Sequence, residues 1–286
     1  MVGKVIKELI LFHQMETKCL IFGANGMLGK YIHKYLETKK DIQVIKITRN
    51  EFDIKLASCE KLEKLLLLHS PKFIVNCAGI TNKRPDITLT EMYVVNSYFP
   101  LILSRFCVKY NIALIHPTTD CVFSGKDGNY NKNFIQDCND DYGRSKFLGE
   151  NILDKKICVI RASIIGEEEK SKSSLLSWVI SKKGEKIYGY TNHLWNGITC
   201  LEYAKIVYKI ISEGGWTGLY QIASSFKNKN FISKYELVKI ISEIYSLDIT
   251  VIPFETYTKC DRTLEADIMT KDIYEQIVEM RDFLRS

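Results

Sequence analysis

An apolar run, Lys18 to Phe22, leads directly into Gly23-Ala24-Asn25-Gly26-Met27-Leu28-Gly29, and helical apolar spacing follows from Met27 to Leu36. A strand that turns on glycines into a helix predicts the opening of a parallel α/β unit. In GxxGxxG, Gly23 permits a tight turn, Gly26 lets the backbone approach a pyrophosphate, and Gly29 allows close helix packing. The amides at the helix start, including those of Asn25, Met27 and Leu28, then face phosphate charge. An ordinary glycine turn is the alternative reading of the motif taken alone.

The same rhythm continues along the chain. Ile42–Thr48 has strand character, Leu56–His69 helical character, and Phe73–Ala78 reads as a buried strand. Glu91–Tyr110 predicts a long helix that Pro100 bends, divides or bounds, because proline lacks the backbone donor and clashes with the preceding turn. Ile112–His116 is the next strand. Asp140 and Asp141 precede a helical run from Tyr142 to Leu153, suiting a helix start, and Cys158–Arg161 follows as a strand. Alternating elements with apolar strands predict a Rossmann-type, doubly wound parallel sheet.

After about residue 162 the rhythm loosens. The polar stretch Glu167–Ser174 reads as a mobile or substrate-facing loop. Leu175–Ser181, Cys200–Ile211, Lys234–Tyr245 and Ile273–Phe283 have helical character, and Leu219–Ile222 and Ile249–Phe254 strand character. The expected organisation is an N-terminal extension over 1–17, a dinucleotide-binding and catalytic core over 18–161, and a smaller C-terminal substrate-binding lobe over 162–286 that shares a core with it. Val2–Met15 is partly apolar but interrupted by Lys4, Lys7, Glu8 and His13. It is too short for a membrane span and lacks a small-residue cleavage site. It is either an added amphipathic helix or an extension ahead of a start at Met15.

Charge and cysteine content narrow the function classes. The 40 basic and 34 acidic residues are mixed along the chain, leaving a net charge of +6 without the basic stripe of a nucleic-acid binder. The nine cysteines include no CxxC pair and lie mostly in apolar segments, as expected of reduced thiols in a cytoplasmic protein and not of a disulfide framework or a metal site.

Beyond the second strand, Ile47-Thr48-Arg49-Asn50 stands where an acidic residue normally meets the adenosine ribose of NAD. Arg49 can pair with a 2′-phosphate and Thr48 can donate to it, which favours NADPH while leaving NADH open. A solvated basic loop is the alternative for Arg49. Asp53 either reaches the adenine edge or serves a surface turn.

Tyr142-Gly143-Arg144-Ser145-Lys146 places Tyr142 and Lys146 one helical turn apart on one face. A Lys146 cation beside the phenol is expected to lower its pKa, and a drop of roughly three units requires about 4 kcal/mol of differential interaction. Thr118-Thr119-Asp120 follows an apolar strand, where loops of doubly wound sheets form sites. Thr119 can therefore bind a substrate carbonyl while Tyr142 supplies a proton, or else cap local backbone groups.

With the glycine motif, Asn76-Cys77-Ala78-Gly79, Thr118-Thr119-Asp120-Cys121-Val122-Phe123 and Tyr142 through Glu150, the chain resembles extended short-chain dehydrogenases/reductases, most closely their dTDP-4-dehydrorhamnose reductase branch. The likeness is strong over about residues 18 to 225. It implies catalytic roles for Thr119, Tyr142 and Lys146, and a cofactor wall that includes Cys77, Ala78 and Gly79. The implied reaction is NADPH-dependent reduction of the C4 ketone of a nucleotide-linked 4-keto-6-deoxyhexose, in an enzyme compatible with a homodimer. Neither metal catalysis nor a covalent sugar intermediate is needed. An epimerase or dehydratase on the same scaffold, or a catalytically silent dinucleotide-binding regulatory subunit, are the rival readings. Cys121 departs from the aromatic residue usual after the Thr-Asp pair, and Phe22 from a small hydroxyl residue. His193 and Trp195 lie where relatives approach the sugar and are either contacts or packing residues. Arg161 either hydrogen-bonds across the lobe boundary or forms a salt bridge away from the site.

Overall fold

The computed structural model describes residues 16–56, 58–82, 86–152, 154–168 and 174–285, so the Val2–Met15 reading lies outside the described residues. Its centre is a seven-stranded sheet of β1 (Thr17–Phe22), β2 (Ile42–Ile47), β3 (Phe73–Asn76), β4 (Ala113–Thr118), β5 (Ile157–Arg161), β10 (Gly218–Ser225) and β14 (Ile268–Asp272). They are arranged β2-β1-β3-β4-β5-β10-β14, and every neighbouring pair is parallel. The order reverses between β1 and β3. In open α/β sheets the carboxyl-end crevice at such a reversal is where ligands bind.

Both faces of the sheet are buried, which explains the unbroken apolar strands. Cys19 and Ile21 of β1 face one core while Leu20 and Phe22 face the other. The first core is covered by α1 (Met27–Glu37), α7 (Cys200–Ser212), α8 (Lys234–Ile244) and α9 (Ile273–Arg285). The second is covered by α2 (Cys59–His69) and α4 (Phe99–Lys109). Phe22 makes edge-on contacts with Phe52 and Phe99, at 5.7 and 5.2 Å between ring centres. The phenylalanine ahead of the glycines is thus a packing residue.

Residues beyond 161 complete this core. β10 and β14 extend the main sheet, and one apolar cluster runs from Cys19 to Met280. The remaining strands form small sheets around it. β7 (Lys186–Tyr190) pairs with β12 (Thr250–Phe254); β8 (His193–Trp195) with β11 (Ile232–Ser233) and β13 (Cys260–Asp261); and β6 (Ile164–Ile165) with β9 (Ile198–Thr199). Two further helices are α3 (Leu89–Tyr93) and α6 (Leu175–Ile180), and α5 (Asp141–Gly149) carries the Tyr142 motif.

Several boundaries differ from the sequence reading for local reasons. α2 begins at Cys59, not Leu56, because the Ser58 side chain accepts from Lys61 N and caps it. The helix expected over Glu91–Tyr110 is interrupted: α3 passes through a π turn, Val94–Tyr98, into α4, and Pro100 falls in the first turn of α4, where a missing donor costs little. β3 ends at Asn76, leaving Cys77–Gly79 as a loop. Of the Glu167–Ser174 stretch, 169–173 lie outside the described residues. Its two ends are fixed: Tyr245 Oη donates to Glu167 Oε1 at 2.8 Å, and Ser174 caps α6.

Candidate functional site

The glycine turn at the end of β1 is dictated by close approach. Gly23 has φ +71°, and a Cβ there would lie 2.6 Å from Ala78 N; one on Gly29 would lie 2.3 Å from Gly23 O. The turn therefore packs against the loop after β3 on one side and against its own helix on the other. Gly26 caps α1 without any side-chain hydrogen bond, and Asn25 and Gly26 are exposed. Met27 is half-buried, and the Leu28 side chain belongs to the core, so only its backbone is available. A helix start with open amides and no Cβ in front of it suits a phosphate. The residues present thus fit the pyrophosphate of a dinucleotide.

At the end of β2 the arrangement departs from expectation. Arg49 is exposed and forms no ion pair among the described residues. Thr48, however, gives both its amide and its hydroxyl to Glu51 Oε2, at 2.8 and 3.0 Å. Its hydroxyl is therefore already engaged, and a carboxylate stands beside it. Asp53 Oδ1 accepts from Lys55 N at 3.0 Å within the surface turn. Glu51 was not singled out in the sequence because it lies four residues beyond the strand, and only the turn brings it back.

The loop Cys77–Gly79 links the two halves of the site. Ala78 meets Gly23 on one side, and on the other packs in a small cluster with Ile80, Val95 and Tyr142. Asn96, in the π turn, holds this loop: its Oδ1 accepts from Ile80 N at 2.9 Å, while Nδ2 donates to Ile80 O at 2.8 Å and to Ser145 Oγ at 2.9 Å. A Cβ on Gly149 would lie 2.1 Å from Asn96 O, and one on Gly143 2.4 Å from Cys121 O. The two glycines of α5 are what allow this helix to press against both the π turn and the Thr119 loop.

Thr119 is buried at the carboxyl end of β4. Its Oγ1 accepts from Cys121 N at 3.2 Å, capping a short 3-10 turn, and donates to Asp120 Oδ1 at 3.0 Å. The Tyr142 phenol stands near enough for this hydroxyl to bear on its pKa. The capping role and the position beside the phenol thus coexist.

Tyr142 does not have the lowered pKa expected from Lys146. Burial raises it above the usual phenol value, Cys121 and Asp120 raise it further, and the Thr119 hydrogen bond only partly opposes them; Asp140 adds to the rise. Lys146 is not among the groups that shift the phenol, and its Nζ donates to Pro117 O at 2.8 Å. Burial brings Lys146 down to about 8, with Glu150 and Cys77 opposing the fall. The helix that carries both groups starts at Asp140, whose Oδ1 accepts from Gly143 N at 2.7 Å.

Beneath the site lies a buried polar network. Arg161, fully buried, grips Glu150 through Nε–Oε1 at 3.1 Å and Nη2–Oε2 at 2.6 Å, and donates from Nη1 to Gln221 Oε1 at 2.7 Å. Thr118 Oγ1 donates to Glu150 Oε1 at 2.7 Å. Gln221 Nε2 reaches Tyr130 O and Glu265 O at 2.7 and 2.9 Å. Arg161 therefore both forms a salt bridge and hydrogen-bonds toward the C-terminal part. Asn96, Glu150 and Gln221 escaped sequence reasoning, since nothing local distinguishes them from solvated polar residues.

Trp195 packs in the core, and His193 is partly buried beside it. Trp195 is buried, donates from Nε1 to Ser163 Oγ at 2.7 Å, and leaves no room for a side chain at Gly197. His193 Nε2 meets Thr256 Oγ1 at 2.9 Å, and its ring lies 4.7 Å from that of Tyr190. All nine cysteines are free thiols. Among the described residues no helix is long and apolar enough to cross a membrane.

Comparison with known proteins places these features in context. The sequence pattern of the family described as the RmlD substrate binding domain matches residues 17–257. A dTDP-4-dehydrorhamnose reductase of Aggregatibacter actinomycetemcomitans is 30% identical over 139 residues, 48% of this chain and 47% of that protein. The alignment thus spans about half of that relative. A probable low-salt glycan biosynthesis reductase of Haloferax volcanii is 24% identical over 263 residues, 85% of each protein. The crystal structure of a Bacillus anthracis dTDP-4-dehydrorhamnose reductase in complex with NADP superimposes with a TM-score of 0.80 at 19% identity, covering 95% of this chain and 100% of that one.

Proposed function

Because the chain belongs to the RmlD substrate binding domain family, we propose that it reduces the C4 ketone of a nucleotide-linked 4-keto-6-deoxyhexose, using NADPH in preference to NADH. The observation that carries this reading is the loop Cys77–Gly79, which joins the uncapped glycine turn to Tyr142 and so sets a dinucleotide cradle against a proton donor. The Bacillus anthracis relative, solved with NADP, supports the cofactor class.

In this reading Gly23, Gly26 and Gly29, with the amides at Asn25, Met27 and Leu28, hold the pyrophosphate. Cys77, Ala78 and Gly79 form the wall beside it. Arg49 would meet the 2′-phosphate, and Lys146, which donates to Pro117 O, would hold the nicotinamide ribose. When bound, NADPH supplies the hydride that C4 receives.

The protein groups handle the oxygen. Thr119 turns its hydroxyl proton from Asp120 Oδ1 to the ketone oxygen and so holds it beside Tyr142. As negative charge develops there, Tyr142 donates its phenolic proton. The raised pKa keeps that proton on the phenol through the resting state, while transfer to an alkoxide, a far stronger base, is downhill. The proton loss leaves a phenolate among Asp120 and Asp140, an arrangement that favours rapid reprotonation. Residues after 161 supply the wall for the sugar nucleotide, and the reaction takes place in the cytoplasm.

Purified protein incubated with NADPH or NADH and a panel of dTDP-, UDP- and GDP-linked 4-keto-6-deoxysugars should oxidise the cofactor and yield a product two mass units heavier than the ketone. Folded protein that binds cofactor yet turns over no member of the panel would count against the reductase reading, and in favour of a regulatory dinucleotide-binding subunit.

A further inference from the structure

His116 is fully buried on β4, three residues before Thr119, and takes no part in the reaction described above. It stands just past the last rung that joins β4 to β3, Val75 with Ile115, and there Asn76 Nδ2 and His116 Nδ1 approach to 3.3 Å. Beyond this pair β3 ends while β4 runs on to Thr118, and in that stretch the Pro117 carbonyl takes Lys146 Nζ at 2.8 Å. Gly149, three residues after Lys146 on α5, brings the helix close to the ring: a Cβ there would lie 3.7 Å from His116 Nε2. Yet Nε2 is buried without a hydrogen-bond partner, and so is Asn76 Oδ1. Burial first, and then the Lys146 charge, keep the imidazole neutral by holding it well below its ordinary range.

A neutral imidazole carries one proton, on either of its two nitrogens. Nδ1 faces Asn76, and Nε2 is the nitrogen beside α5. The Lys146 cation favours a lone pair over an N–H on the nitrogen beside its helix, which puts the proton on Nδ1. The Asn76 amide, turned over, accepts that proton through Oδ1, since its oxygen and nitrogen occupy equivalent places. His116 Nε2 is then an acceptor buried near an ammonium that has three donors. Pro117 O takes one of them, and the cofactor ribose is the proposed partner of another. The third has its acceptor in Nε2, and a buried cation gains more from a hydrogen bond than a solvated one does.

We propose that His116 is a positioning residue for Lys146: its Nε2 accepts from the ammonium and holds it, charged, where the nicotinamide ribose arrives. This assignment rests on the dinucleotide reading of Lys146 given above. The charged and titratable groups around Lys146 are then Glu150 on its own helix, Cys77 after β3 and His116 on β4, while Arg161 of β5 is held by Glu150. Loss of the Nε2 acceptor makes the lysine give up its proton at lower pH, and the grip on the ribose goes with the proton.

The test is the NADPH affinity of the full chain, by fluorescence titration from about pH 6 to 10, for wild type, His116→Asn and His116→Gln. Asparagine keeps a partner for Asn76 but puts nothing at Nε2, whereas glutamine brings an amide oxygen near that place. Wild-type affinity should fall as pH rises through about 8. In His116→Asn the fall should come roughly one pH unit earlier, the worth of one charged hydrogen bond, and glutamine should restore most of the difference. A merely structural histidine would lower the unfolding temperature without moving the midpoint of the fall. Equal midpoints in wild type and a folded His116→Asn overturn the proposal. If His116→Asn fails to fold, nitrogen NMR of histidine-labelled wild type decides: an unprotonated Nε2 at neutral pH is expected, and an Nε2–H overturns the assignment. A wild-type protein that binds no NADPH removes the dinucleotide reading and leaves the nitrogen spectrum to decide on His116.

Discussion

Arg161 meets Glu150 through two hydrogen bonds, 3.1 and 2.6 Å long, in a pair that water does not reach. The pair joins the end of the helix bearing Tyr142 and Lys146 to the strand beside β4, so the position of α5 depends on it. Removing one partner leaves an uncompensated buried charge, which typically costs 3–5 kcal/mol, whereas replacing both with apolar residues can be nearly neutral. Arg161→Met should therefore lower unfolding stability by about 4 kcal/mol in urea titration, and Glu150→Met with Arg161→Met should recover most of it. Equal stability of the single variant and wild type would mean that α5 is held by other contacts.

Tyr142 sits at the meeting of Thr119, Asp120 and the Cys77–Gly79 loop. Removing its hydroxyl deletes the proposed proton donor but spares the glycine turn, which lies across Ala78. Tyr142→Phe should cut turnover by roughly 10²- to 10⁴-fold, the usual worth of a positioned acid, while the dissociation constant for NADPH changes by less than about threefold. Fluorescence titration and steady-state rates separate the two. Undiminished turnover would dismiss Tyr142 as the acid.

Lys146 titrates far below a solvated lysine, at about 8 against 10.5, because it is buried. Between those values the unfolded chain binds the proton and the folded chain does not, so stability rises with pH across that window; below pH 8 the folded state carries the whole cost of a buried cation. The shift corresponds to about 3 kcal/mol. Lys146→Met should gain on wild type by about that much at pH 7 relative to pH 10.5, measured as the difference in unfolding free energy between the two proteins. A difference independent of pH would show that Lys146 is solvated. Glu150 opposes the fall, so Glu150→Gln should push the lysine lower still and move the window toward acid.

How much of this was legible in the sequence follows from how local each cause is. The path from β1 through Gly23 to α1 could be read directly, because strand, turn and helix signals are contiguous and each glycine has a neighbour within reach of its missing Cβ. Tyr142 and Lys146 could be placed on one helical face for the same reason. The pKa of Tyr142 could not, since Asp120 reaches it through the Thr119 turn and Asp140 through the cap of α5. The π turn at Val94–Tyr98 was equally hidden: Asn96 and Ser97 bond to Ser145, about fifty residues away. β13 is two residues long, and β14, Ile-Met-Thr-Lys-Asp, has no buried alternation, so neither shows a strand period.

Cofactor choice turns on two neighbours of opposite charge. Arg49 is exposed and free to meet a 2′-phosphate, while Glu51, two residues on, holds Thr48 and would repel that phosphate. In the proposed reading, attraction to the fork of an arginine exceeds repulsion from a carboxylate already engaged by two donors, so NADPH is the expected partner. Arg49→Ala should weaken NADPH roughly tenfold, the loss of one charged hydrogen bond, and leave NADH nearly unchanged. Glu51→Gln removes the repulsion and should tighten NADPH by a few fold while loosening NADH, whose ribose hydroxyls would lose an acceptor. Both are read by titrating the two cofactors against each variant. A wild-type protein that prefers NADH, with Glu51→Gln abolishing that preference, would transfer the selecting role from Arg49 to Glu51.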